Sequence, residues 1–192
     1  MANKKTRAIT SDEYNLIIDT MREGYTYNNK EVRPNNRIAT ALVLEANLGL
    51  RISDVLNLRL NSIVKDGERY RLDIVEQKTG KTRTFTVPTD IYTYIKIYTL
   101  EEGIRPTSPI FPISERVVQM YLKNVCDYLN IEGVSTHSFR KYFATSIYIN
   151  NDYNIELIRR LLQHSSTTTT QRYIGIDTAQ VERALNNHTR LR

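Results

Sequence analysis

The sequence predicts a mostly helical α+β protein carrying one small three-stranded antiparallel sheet, and three observations support that reading. Apolar residues recur at helical spacing through most of the chain, as in Ile38, Ala41, Leu42, Leu44 and Leu48. The period falls to two over residues 69–87, where Tyr70, Leu72 and Ile74 alternate with Arg69, Arg71 and Asp73, and Phe85 and Val87 alternate with Thr84 and Thr86. Between those runs, Gln77-Lys-Thr-Gly-Lys81 is polar and holds a glycine to turn the chain, which makes the segment a β-hairpin.

Residues 1–9 read as a basic flexible tail or linker. Thr10-Ser-Asp-Glu13 has the capping-box pattern, and Tyr14, Leu16, Ile17 and Met21 follow at amphipathic spacing until Gly24. Residues 28–36 are turn-rich and include Pro34. The stripe from Ile38 to Leu48 stops at Gly49, and a further helix starts near Ser53-Asp54 with Val55, Leu56 and Leu58. A third strand is expected around residues 62–64. Helical period returns over 91–100, then Gly103, Pro106, Pro109 and Pro112 mark a loop. Further helices are expected over 114–129, from a Ser135 or Thr136 cap through 149, and from an Asn154 cap through 162. A threonine run leads to Tyr173, and 177–187 forms a last helix, with Val181, Ala184 and Leu185 on one face. No repeat and no long linker divides the chain, so one domain is expected.

Composition narrows the function. Hydrophobic residues make up 40% of the 192 and charged residues 25%, which fits neither a disordered tail nor a membrane protein. No apolar run approaches the roughly 18–20 residues that span a bilayer. The single Cys126 rules out an internal disulfide and an all-cysteine metal cage, and suits a reducing cytoplasm. Lys and Arg total 27 against 21 Asp and Glu, a net +6 that favours a polyanionic partner such as nucleic acid.

Four places can carry chemistry. His137 and Arg140 lie three apart in the first turn of a helix, where unpaired N–H groups and the dipole attract anions; taken alone, the pair fits an ordinary surface helix better. Arg51 follows Leu-Gly-Leu50 at a helix–helix junction, an expensive place for a cation without a partner. That partner is either Asp54, one turn on, or a bound phosphate. Lys78 stands at the hairpin tip, either solvated or laid against a nucleic-acid groove. His164 and Tyr173 flank the threonine run, and Tyr173 is either a packing residue or a covalent nucleophile. A metal site from Cys126, His137 and His164 is disfavoured because the spacing matches no metal motif.

The order of these pieces resembles the tyrosine recombinase (phage integrase) family. Gly-Leu-Arg51-Ile-Ser-Asp, Glu-Gln-Lys78-Thr-Gly-Lys, Thr-His137-Ser-Phe-Arg140-Lys, Leu-Leu-Gln-His164-Ser-Ser and Thr-Thr-Gln-Arg-Tyr173 stand in the family's order, and the interval 173 − 164 = 9 fits its His-to-Tyr spacing. Gln163 replaces the usual glycine and Lys141 a frequent histidine. The resemblance implies a catalytic domain over 10–192, without the family's separate N-terminal helical domain, as either a naturally short member or an excised domain. It also implies the roles. Tyr173 would attack a DNA phosphate to give a 3′-phosphotyrosyl link, with Arg51 and Arg140 on the non-bridging oxygens. His137 would accept the tyrosine proton, Lys78 would act as general acid, and His164 would donate to the phosphate. No metal, cofactor or ATP is implied. The partner would be double-stranded DNA, bound by a homotetramer exchanging its C-terminal segment, with a monomer as the alternative for the isolated domain. Two other readings stay open: a non-catalytic DNA-binding module, and a type IB topoisomerase.

Overall fold

Capping chemistry at Thr10 opens the first helix, α1 (Ser11–Glu23), in the computed structural model, which describes residues 6–75, 80, 82–174 and 186. The Thr10 hydroxyl accepts from Glu13 N at 3.1 Å, and the Glu13 carboxylate accepts from Thr10 N at 2.9 Å. The chain divides into two units, 1–143 and 144–192.

In the first unit, β1 (Tyr25–Tyr27) and β2 (Lys30–Val32) pair antiparallel where the sequence reading expects only turns. Asn28 and Asn29, at φ 51° and 58°, supply the two left-handed residues of a tight hairpin turn. Next comes α2 (Asn36–Leu48), started by the Asn35 side chain accepting from Ile38 N at 3.1 Å. Its apolar stripe is buried as the spacing predicts, with Ile38, Leu42, Leu44 and Leu48 inside. Gly49 closes it at φ 58°; a Cβ there would lie 2.3 Å from the Phe143 ring, so only glycine fits. Then α3 (Ile52–Leu56) starts one residue ahead of the expected Ser53.

The three-stranded sheet is β3 (Ile63–Asp66), β4 (Arg69–Val75) and β5 (Thr82–Val87), in spatial order β3-β4-β5. Ile63 faces Leu72 across one ladder, and Tyr70 faces Val87 across the other. Leu72 and Val87 are buried as the alternation requires. Two amphipathic helices follow: α4 (Thr89–Glu101), burying Ile95 and Tyr98, and α5 (Glu115–Tyr128), burying Val118, Leu122, Val125 and Cys126. Together with α1, α2, α3 and Phe139 they enclose one core. Each fully buried Leu or Ile there contributes roughly 1.5–3 kcal/mol. Burial pushes the Cys126 thiol up to about 12.

Residues 6–9 differ from the flexible tail expected of them. Arg7 N donates to Gly133 O at 3.1 Å, its guanidinium grips both oxygens of Glu13 at 2.7 and 2.5 Å, and Ile9 is buried. The basic side chain found a carboxylate on the following helix, a pairing invisible to composition.

The boundary between units falls inside α6 (Thr136–Asn150). Beyond it, α7 (Ile155–Leu162) is capped by Asn154, which accepts from Leu157 N at 3.0 Å, and it buries Ile158 and Leu162. The threonine run, read from sequence as a connection, is itself a helix, α8 (Thr167–Ile174). Threonine is a poor helix former; the Ser166 hydroxyl, accepting from Thr169 N at 3.2 Å, and the burial of Thr170 and Ile174 compensate. The expected helix at 177–187 lies outside the described residues, save Asn186. Among the described residues no helix is long and apolar enough to cross a membrane.

Candidate active site

Arg51 is positioned by the junction it occupies. As the residue capping α3, its carbonyl accepts from Asp54 N and Val55 N at 2.9 and 3.0 Å. Leu50 and Ile52 on either side are buried, so the backbone is clamped while the half-buried arginine side chain lines a cavity of about 400 Å³. His137 lines the same cavity, from the first turn of α6. Thr6, Ser53, Glu115 and Gln119 complete much of its polar wall. That first turn is set by a reciprocal pair: Ser135 N donates to Ser138 Oγ at 3.1 Å, and Ser138 N to Ser135 O at 2.9 Å.

Arg140 parts company with His137. One turn apart on α6, His137 is exposed whereas Arg140 is only 3% exposed. The Arg140 guanidinium donates to Gly49 O at 2.7 Å, two residues before Arg51. The C-terminal end of α2 presents carbonyls and the negative pole of its dipole to that cation. A buried carboxylate, Glu45, sits one turn earlier on α2. Sequence reasoning passed over Glu45, although the signal was there: it falls seven residues after Ile38 on the buried stripe, where a charge is out of place. It passed over Lys141 as a structural anchor too; its ammonium donates to Thr6 O at 2.6 Å and pins the entering chain beside the cavity.

The second unit brings His164 and Tyr173 together. Gln163, at φ 55°, caps α7 in the left-handed conformation and turns the chain into His164. His164 O accepts from the Arg159 guanidinium at 3.1 Å, and Arg159 is itself doubly bonded to Glu156. The two arginines of α7 hold the Glu156 carboxyl down at about 2. His164 Nδ1 lies 3.0 Å from the Thr170 hydroxyl, which donates to Ser166 O at 3.3 Å. The Thr170 hydroxyl and Nδ1 together hold the ring in place, with the donor of the pair set by the imidazole tautomer. Thr170, buried and unremarked in the sequence, thereby orients the His164 ring. The Tyr173 ring meets His164 edge-on, with centroids 5.2 Å apart, and its hydroxyl oxygen is buried.

Lys78 lies outside the described residues. Among those described, no group of three or more His, Cys, Asp or Glu is placed to hold a metal ion.

The pattern of the phage integrase family matches residues 7–180. This chain belongs to that family. It is 30% identical over 159 residues to the tyrosine recombinase XerC of Caldanaerobacter subterraneus, covering 77% of this chain and 43% of that one. The chain spans about half the length of the curated XerC relatives it matches. Its fold is shared with the XerH site-specific recombinase, whose structure is a post-cleavage complex bound to a palindromic difH substrate. The TM-score is 0.70 at 17% identity, over 95% of this chain and 53% of that one. The catalytic domain of bacteriophage HP1 integrase gives 0.65 at 16% identity, over 96% of both chains. The mostly helical fold with a small antiparallel sheet is thus the fold of tyrosine recombinase catalytic domains.

Proposed function

We propose that this chain is the catalytic part of a site-specific DNA recombinase, that residues 10–192 act as one functional domain, and that Arg51, Lys78, His137, Arg140, His164 and Tyr173 perform the reaction. The observation that carries the reading is the cavity shared by Arg51 and His137, with Arg140 anchored two residues from Arg51. Arginine's planar fork matches the oxygens of a phosphate. Family membership supports the same assignment.

In this reading the Tyr173 hydroxyl gives its proton to His137 as its oxygen attacks the scissile phosphorus. The P–O5′ bond breaks, the leaving 5′ oxygen takes a proton from Lys78, and a 3′-phosphotyrosyl ester remains. A 5′-hydroxyl from another strand reverses these steps, so one phosphoester replaces another without an external energy source. Arg51 and Arg140 meet the charge that develops on the non-bridging oxygens, and loss of one such donor costs on the order of 10²–10³ in rate. His164 donates a hydrogen bond to the same phosphate. Double-stranded DNA is the partner, attracted by the net +6 charge. The same reading carries assembly on DNA as a homotetramer exchanging segment 177–187, and work in the cytoplasm.

The test is a nicked duplex bearing a site that the protein itself selects from a random pool. The wild-type chain should form an SDS-resistant protein–DNA adduct, and Tyr173→Phe should form none. Failure of the wild type to form an adduct on any selected site, or an adduct surviving in Tyr173→Phe, rejects the proposal.

A further inference from the structure

A carboxylate in the core is the feature of the first unit that the reaction leaves unused. Glu45 has no solvent exposure, and neither of its carboxylate oxygens completes a hydrogen bond among the described residues. Such a group costs several kcal/mol when ionised unless a charge answers it. The groups that act on it come from three elements: the Arg140 guanidinium of α6, the Glu115 carboxylate of α5, and the backbone N–H of Ile52 where α3 begins. Arg140 is the only cation among them, and it is itself buried.

The covalent and hydrogen-bonded path between the two is short. Glu45 O accepts from Gly49 N at 3.0 Å, closing the last turn of α2, and Gly49 O accepts from the Arg140 guanidinium at 2.7 Å. Residues four apart on a helix share a face. Glu45 therefore belongs to the same helical turn onto which Arg140 docks. A leucine or alanine would suit that stripe for packing alone, as Leu42 and Ala46 do on either side.

We propose that Glu45 is a positioning residue for Arg140: its ionised carboxylate orients the buried guanidinium toward the phosphate site, and protonation of Glu45 releases that hold. The assignment rests on reading Arg140 as a phosphate-binding residue, so one arm of its test is independent of DNA. Desolvation raises the Glu45 carboxyl well above the ordinary glutamate range while Arg140 pulls it down, which places the change of state above the range of exposed carboxylates.

The DNA-independent arm follows two nuclei in one sample of the full chain, the Glu45 side-chain carboxyl carbon and the Arg140 side-chain nitrogen, by NMR between about pH 4 and pH 10. The Arg140 resonance should step at the midpoint of Glu45, and Glu45→Gln should lack that step. An Arg140 signal flat through the titration of Glu45, a step surviving in Glu45→Gln, or a Glu45 that never ionises overturns the proposal. Should Glu45→Gln fail to fold, the wild-type titration decides alone. The second arm measures adduct formation on the nicked duplex. The wild-type to Glu45→Gln rate ratio should be near unity below the Glu45 midpoint and rise on the order of tenfold above it. A pH-independent ratio marks a merely structural role and overturns the proposal. A wild type that forms no adduct removes the proposed function and leaves the NMR result standing.

Discussion

The two units place their reactive groups in opposite kinds of surroundings. In the first, Arg140 and Glu45 are sealed into the core around α2, and Arg51 rises from a junction whose neighbours are fully buried. In the second, Tyr173 sits on α8 and His164 in the connection between α7 and α8, two helices of eight residues each, held by polar caps and a handful of buried side chains. Groups that bind a fixed charge gain from preorganisation. A nucleophile that must attack, form an ester and later leave it gains from an element of low local stability. The comparison teaches that this fold spends packing on Arg51 and Arg140 and leaves Tyr173 on the lighter support.

The sharpest break in that contrast is chemical. Tyr173→Phe should abolish the SDS-resistant adduct while changing the melting temperature little, since the ring and its edge-on contact with His164 remain. The next largest effect should come from the packing around Arg140. Gly49→Ala imposes a left-handed alanine and drives a Cβ to within 2.3 Å of Phe143. It should cost about 2–4 kcal/mol in urea unfolding and slow adduct formation, because Gly49 O is the Arg140 acceptor. Glu45→Gln should then separate stability from function. Burial makes the folded chain hold the Glu45 proton to higher pH than the unfolded chain does. Stability is therefore complete below the ordinary glutamate range and lost as pH rises through the raised value. Urea midpoints of Glu45→Gln should improve on the wild type as pH rises, even as its cleavage rate falls behind. A ΔΔG independent of pH would remove Glu45 from the contrast.

Smaller effects probe the lighter unit. Thr170→Val deletes the hydroxyl partner of His164 Nδ1 while keeping the volume. It should lower adduct formation on the order of tenfold and stability by about 0.5–1.5 kcal/mol, read by trapping and thermal melts. An unchanged rate would strip Thr170 of its part in orienting the His164 ring. Least visible is Cys126, whose buried thiol should resist a thiol reagent at pH 8 in the native chain and react at once in denaturant.

Much of the fold was legible because strong local signals agreed with tertiary demands. The Thr10 capping box, the α2 stripe with its Gly49 stop, and the alternation of β4 each appear in the structure where their residue patterns put them. The readings that failed involved competing signals. The hairpin of β1 and β2 has three-residue strands, too short to show alternation, so its two asparagines registered only as a turn. In α8, four consecutive threonines argued against a helix, and the deciding contributions, a Ser166 cap and two buried side chains, depend on neighbours. The candidate site residues stand in the sequence as an ordered set, while their environments were not legible there. Spacing put His137 and Arg140 on one face, yet packing sent the first outward and the second into the core. Glu45 stood out of place on its apolar stripe, but the groups that act on it come from α5 and α6, far away in sequence.

Gln163 carries a consequence for the loop it opens. A side chain bound to a left-handed backbone stores on the order of 1–3 kcal/mol of conformational strain that glycine would avoid. The same side chain narrows the unfolded ensemble, so less entropy is surrendered when the bend forms. The bend before His164 is thus a cocked joint, stiffer than glycine would make it, whose relaxation and rigidity are set against each other by one residue.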